Sequence, residues 1–372
     1  MTQRERQILN WIKENPMISQ QELADKAGIT RSSAAVHISN LMKKGYISGK
    51  GYIVRTAPYV TVVGGVNMDI GGRSAAPLVD RDSNPGRVRM SLGGVGRNIA
   101  HNMALLGVDV KMLTALGDDL YAQKIGASCA EIGIDLSHSP VIPGGHTSTY
   151  LFINDENGDM ALAVSDMDIC REITPELLSA RRALLDGSQI VVVDTNIPEE
   201  SIRWLAENCR APLFVDPVST IKAEKLRGVL GSIHTLKPNR MEAELLSGVA
   251  IRDTESLRLA AKTLLDTGMH RVFISLGGDG VYAADRITGT EVQLGVLPGE
   301  MVNTTGCGDA FMAAIAWAYL QGTLRLFHEH RKQGVRRALR SGSKPASTIA
   351  MESADTINAQ MSADAVRQRL GK

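Results

Sequence analysis

Apolar positions along this chain keep two different rhythms, and the change falls near Thr56-Ala57-Pro58. Before it, Ile8, Leu9, Trp11 and Ile12 recur at helical spacing and stop at Asn15-Pro16, because proline seldom continues a helix. Ser19 is placed to cap a second helix over 20–27, closed by Gly28. A third starts at Thr30 or Arg31, runs through Val36 and Leu41 to Lys44, and ends at Gly45, after which 46–54 reads as a hairpin. Beyond the change, short apolar runs at 190–194, 212–216, 233–237 and 271–275 predict buried parallel strands, with helices such as 198–208 and 240–247 between them. That alternation predicts an α/β fold with a doubly wound sheet. Ligands of such sheets collect beyond the carboxyl ends of the strands, where Asn67, Asp69, Asn239, Glu242 and Ser275 are expected.

Charge sharpens the division. Residues 1 to 58 hold nine Lys and Arg against four acids, a balance of +5, which leaves 32 against 36, or −4, for the rest. A small basic module over 1–57 therefore precedes a slightly acidic body over 58–372. With 372 residues and 44% hydrophobic content, the chain can bury one large core and a small one. No signal-like apolar core follows Met1, and no apolar stretch reaches the roughly 18 residues that a bilayer requires. A cytoplasmic protein without a membrane partner is expected. Cys129, Cys170, Cys209 and Cys307 lie far apart without metal-ligand spacing, so they read as reduced thiols.

Candidate chemistry lies in two glycine-rich turns that each open a helix. Asn303-Thr304-Thr305-Gly306-Cys307-Gly308-Asp309 leads into the apolar stretch 310–318. The N–H groups of Gly306, Cys307 and Gly308 at the positive end of a helix dipole would form an anion hole, with Asp309 beside it as a candidate base. No Gly-Lys-Ser/Thr follows, so this is not a Walker A loop. Gly93-Gly94-Val95-Gly96-Arg97-Asn98 is the second turn. Read alone, either turn is also consistent with a plain tight connection.

Together the two turns resemble the paired signatures of the PfkB, or ribokinase-like, family of small-molecule kinases, and the likeness covers roughly 59 to 324. It implies a small β lid at about 71–92 and 144–165, with Asn67, Asp69, Gly93, Gly94 and Asn98 on the acceptor's hydroxyls and Asp166 reaching it from the lid. By the same resemblance, Asn239, Ser275, Gly277, Gly280 and Thr305 would bind ATP. Glu242 would order Mg2+ through water, and a monovalent cation such as K+ is left open. Simpler roles stand beside these: Asp69 as a turn cap, Glu242 as an exposed acid in the first turn of its helix. Within the family, 82–86, 93–98, 165–168, 215–219 and 234–240 look like bacterial pseudouridine kinases. The implied reaction is ATP-dependent phosphorylation of a nucleoside 5′-hydroxyl, with pseudouridine first and another nucleoside or sugar second.

Three helices and a hairpin resemble the winged helix-turn-helix domains of bacterial regulators, whose third helix enters the major groove. Arg31, Ser32, Ser33 and His37 would then meet DNA, with Lys43, Lys44 and Lys50 on phosphates. A docking or dimerisation module is the plainer reading. The resemblance also implies a homodimer, and it keeps open a regulator that uses the kinase fold as a sensor. One segment fits none of this: 325–344 carries seven basic residues against Glu329, where an Ala-rich helix is expected against the nucleotide. It is either a basic surface helix or a stretch read in a shifted frame.

Overall fold

The computed structural model describes residues 1–47, 58–296, 305–322, 344–353 and 356–369. The chain divides into two compact units, Met1–Pro58 and Tyr59–Lys372.

Helices Gln3–Glu14, Gln20–Ala27 and Arg31–Lys43 build the first unit. Each begins where a hydroxyl can accept an orphan backbone N–H: Thr2, Ser19 and Thr30 all do so, and Glu5 and Glu22 close capping boxes. Ile8, Leu9, Ile12, Leu23, Ile38, Leu41 and Ile47 form the core. Two expectations change here. Lys44, expected on DNA phosphate, instead donates to the buried carboxylate of Glu5 at 2.7 Å. That bond, with the Thr2 N–H, holds the Glu5 carboxyl below the usual range. His37 is half buried with its Nδ1 inside the unit, so its ring is not the open contact its position suggested. Lys50 and the hairpin beyond Ile47 lie outside the described residues.

In the second unit a nine-stranded sheet runs in the spatial order Thr290–Leu294, Val281–Asp285, Arg271–Ser275, Thr235–Leu236, Leu213–Asp216, Val191–Asp194, Val60–Val63, Val110–Leu113 and Ile134–Asp135. From Arg271–Ser275 onward to Ile134–Asp135 every pairing is parallel. The two strands at the other edge are antiparallel, so the sheet is mixed where the sequence pattern suggested only parallel strands. Alternate side chains enter two cores: Val191 and Val193 join one, Ile190 and Val192 the other. Helices therefore cover both faces, which is why the strands read as continuous apolar runs.

A separate four-stranded sheet, in the order Gly86–Gly93, Asn67–Ser74, Thr149–Asn154 and Met160–Asp166, forms the lid. It starts earlier than the sequence suggested, so Asn67 and Asp69 are lid residues themselves rather than residues just beyond a main-sheet strand. The segment 325–344 lies outside the described residues except for its last position. The helix Lys344–Met351 that follows packs Ala346, Ile349 and Ala350 on Ala310, Ala314 and Trp317.

Phe214 anchors the sheet, fully buried, stacked on His234 at 5.3 Å and met edge-on by Tyr319 at 5.2 Å. Phe214→Ala is expected to destabilise the second unit by about 3–5 kcal/mol, as truncation of a buried aromatic does. Urea unfolding followed by tryptophan fluorescence measures this, and a loss under about 1 kcal/mol would contradict the assigned packing.

Candidate active site

The Gly93-Gly94 turn packs on Gly65, which a carboxylate fastens from beneath. Asp194, fully buried at the end of Val191–Asp194, accepts the Gly65 N–H and the Asn196 N–H, both at 2.8 Å. Burial pushes its carboxyl up to about 6, against the pull of these bonds. Above it, Gly94 opens the helix Val95–Leu105 with φ +96, and a Cβ there would lie 2.6 Å from the Gly65 carbonyl oxygen. Only glycine suits that position. The helix then carries Asn98, buried, inward over its first turn.

The turn at Gly306 delivers Asp309. Gly306 caps the helix Cys307–Leu320 at φ +82, pressed against the Thr356 carbonyl, where a Cβ would approach to 2.4 Å. Asp309 follows in the first helical turn, buried, and accepts the Asn98 Nδ2 at 2.9 Å. Burial, with Asp216 and Asp194 nearby, pushes its carboxyl up to about 8, although Asn98 and Lys237 act in the opposite direction. Asn98 Oδ1 is also buried and has no protein partner, so an acceptor is left beside Asp309 for an incoming hydroxyl. Gly308 is exposed and Thr305 precedes the turn at the surface.

Lys237 supplies the cation. Its Nζ lies 3.1 Å from Asp216 Oδ2 with both side chains buried, and 3.5 Å from the point where a Cβ on Gly308 would sit. Burial opposes its charge, but Asp216, Glu242 and Asp309 together hold the ammonium above the usual lysine range. Asp216 is itself fixed, its Oδ1 accepting the Val218 N–H at 2.9 Å. Val218 has φ +64, rare for a β-branched residue, at the centre of a γ-turn closed by Ser219 N–H to the Pro217 carbonyl at 2.7 Å. Such backbone strain gathers at functional sites.

Asn239 and Glu242 satisfy each other. The Asn239 side chain accepts the Glu242 N–H at 2.9 Å and Glu242 Oε2 accepts the Asn239 N–H at 2.8 Å, a capping box for the helix Arg240–Ser247. Glu242 is therefore no exposed acid: it is buried, and burial raises its pKa. Ser275 bridges to Asn239 at the end of Arg271–Ser275, and the turn Gly277–Asp279 with Gly280 follows. Among the described residues no group of three or more His, Cys, Asp or Glu forms a metal cage. The buried carboxylate of Glu242 fits a hydrated Mg2+ carried by phosphates, which does not need such a cage.

Over these groups the lid presents two unlike faces. Asn67 donates to Asp69 Oδ1, and Asp69 is raised by burial and lowered by Asn67 and Arg97. Strand register places Ser91, Tyr150 and Ser165 on the Asp69 face and Gly93 opposite Asn67. Asp166 pairs with Thr149 in the row of Met68, on the opposite face, and is exposed. Asp166, expected to reach the acceptor from the lid, is thus set on the face away from Asp69 by the two-residue period of the strand. Lys237, Asp216, Asp194 and Tyr150 were given no role from sequence; the first two lie in segments singled out only as likenesses.

Known proteins place this arrangement. Residues 57–361 match the pfkB family carbohydrate kinases, and residues 1–48 match a winged helix-turn-helix DNA-binding family. Pseudouridine kinase of Escherichia coli K12 is 40% identical over 270 residues, 72% of this chain and 86% of that protein. An uncharacterized sugar kinase of the same organism, YeiI, is 39% identical over 325 residues, 87% of this chain and 89% of its own. That alignment is longer than Tyr59–Lys372, so it extends into the N-terminal unit. The carbohydrate kinase from Agrobacterium tumefaciens superposes with TM-score 0.71 at 28% identity, covering 85% of this chain and 97% of that one. Arabidopsis thaliana ribokinase, complexed with ribose and ATP, gives TM-score 0.70 over 85% and 99% at 20% identity, a likeness of fold. The chain is a ribokinase-like phosphotransferase with an alcohol acceptor, and it belongs to the PfkB family of carbohydrate kinases, preceded by a winged helix-turn-helix unit.

Proposed function

We propose that this protein phosphorylates the 5′-hydroxyl of a nucleoside, pseudouridine first, with ATP as donor. The observation that carries the catalytic part is Asp309, buried at a helix start, raised to about 8 and bonded to Asn98. The 40% identity to a pseudouridine kinase supports the acceptor, and the 39% identity to YeiI keeps a sugar as the second candidate.

In this reading Asn67, Asp69, the Gly93-Gly94 backbone and Asn98 hold the ribose. Asp309 takes the hydroxyl proton, the freed oxygen attacks the γ-phosphorus in line, and the bond to the β-phosphate oxygen breaks to release ADP. N–H groups of Gly306, Cys307 and Gly308 stabilise charge on the moving phosphoryl oxygens, with the Lys237 ammonium beside them. Cys307 replaces no side-chain function, because the anion hole uses its backbone. Asn239, Ser275, Gly277, Gly280 and Thr305 line the nucleotide's approach. Glu242 would hold Mg2+ through water, and bound there the ion neutralises phosphate charge.

DNA binding by the first unit is the second activity. Arg31, Ser32, Ser33 and Lys43 are exposed on or beside the start and end of the third helix, as groove and phosphate contacts require. A homodimer is supported by the lid face opposite Asp69, where Val88, Leu162 and Val164 are 73%, 62% and 55% exposed.

Asp309→Asn is expected to lower kcat about 10²–10⁴-fold, the usual contribution of a general base; near-normal turnover would reject the role. The same substitution is expected to raise Tm. The folded carboxyl at about 8 stands above the ordinary 3.8, so ionising it costs stability as pH rises through that interval. The gain should be greatest above pH 8 and vanish near 3.8, which calorimetry across pH measures. For the wild type, kcat/KM should rise with pH and level off above about 8; a profile flat from 6 to 9 would contradict the assignment. Affinity for duplex DNA should fall linearly in log K against log salt, and Lys43→Ala should reduce that slope by about one. Identical slopes would deny Lys43 a phosphate.

A further inference from the structure

A cavity of about 350 Å³ opens beside the acceptor turns, and none of the roles above uses it. Met167, Cys170, Arg171, Asn196, Glu200 and Lys225 line it. It adjoins Gly65, since Asn196 Nδ2 and Met167 Cε each lie 3.0 Å from the place a Cβ on Gly65 would take. On its other side Gly65 meets the acceptor turn: its carbonyl accepts the Arg97 N–H at 3.3 Å and Gly94 packs against it. One glycine therefore separates the sugar cradle from this cavity.

Its polar groups are oriented. The Lys222 ammonium donates to Asn196 Oδ1. An ammonium cannot accept, so the amide is held with its NH2 toward Gly65 and the cavity. Lys225 Nζ donates to the carbonyls of Thr195 at 2.8 Å and Ile197 at 2.9 Å, which leaves one N–H more. Glu200, exposed at the rim, offers an acceptor. Donors beside an acceptor complement a pyrimidine-dione edge on which a ring carbonyl adjoins a ring N–H, as the C2 carbonyl adjoins N1–H in a carbon-linked uracil. Met167 and Cys170 supply apolar contact for the ring.

We propose that this cavity is the subsite for the nucleobase on C1 of the acceptor sugar, with Asn196 donating to a ring carbonyl and Glu200 accepting from a ring N–H. The inference rests on the nucleoside kinase reading above. A carbon-linked uracil keeps a second ring N–H that a nitrogen-linked one lacks, so Glu200 favours the carbon-linked nucleoside.

Steady-state kinetics with pseudouridine, uridine and ribose, for the wild type, Asn196→Asp and Glu200→Gln, test it. Asn196→Asp sets a carboxylate against the ring carbonyl and should raise KM for pseudouridine at least about tenfold, while kcat changes by less than about threefold. Glu200→Gln should narrow the pseudouridine-to-uridine ratio of kcat/KM at least about threefold. Glu200 is on the surface, so that variant carries the test if Asn196→Asp does not fold, which circular dichroism reports. Both variants with KM and selectivity within about twofold of a wild type that uses pseudouridine would overturn the subsite and leave the kinase reading standing. A wild type that phosphorylates ribose and neither nucleoside would overturn both.

Discussion

A carboxylate shut away from water at the head of a helix, beside other buried acids and the Lys237 ammonium, is the constraint on which this site depends. Asp309, Asp216, Asp194 and Glu242 are all buried, and the Lys237 ammonium is held by Asp216, Glu242 and Asp309 among them. Desolvation and the neighbouring carboxylates favour the neutral form of Asp309, and Lys237 acts against them. The arrangement leaves Asp309 far more basic than an ordinary aspartate, while Asp216 is paired. Unequal environments for neighbouring carboxylates separate their roles.

The fold holds that imbalance in place by close backbone approach. Gly94 lies on Gly65 and Gly306 lies on Thr356, contacts that any side chain would open. Asp194 ties Gly65 to the sheet from below, and Asn98 ties the helix after Gly94 to Asp309. The acceptor half and the phosphoryl half of the site are thus connected by one buried hydrogen bond between two helices. Strain at Val218 sits in the same place, where it fixes Asp216 toward Lys237.

Much of this was legible in the chain. The helix start at Ser19 could be read because capping needs a particular atom at a particular position. The strands at 191–194 and 213–216 could be read because both of their faces are buried. Asp309 stood out because two glycine turns that each open a helix occur together, where either alone could be a plain connection. Lys237 did not: a lysine next to Pro238 has no local signature, and its role comes from Asp216, contributed by a neighbouring strand. Asp166 was expected at the acceptor with no face assigned to it, because only the pairing with Thr149 fixes the register. Lys44 was read as a free charge because Glu5, 39 residues away, is distant in sequence.

A base of this kind must meet its alcohol directly. The most direct measurement is a crystal structure with pseudouridine and a non-hydrolysable ATP analogue bound. The account predicts the Asp309 carboxylate within hydrogen-bond reach of the 5′-oxygen, roughly 2.6–3.2 Å, with the terminal phosphate on the N–H groups of Gly306 to Gly308. A 5′-oxygen turned away from Asp309, with those N–H groups bonded to protein atoms, would contradict it.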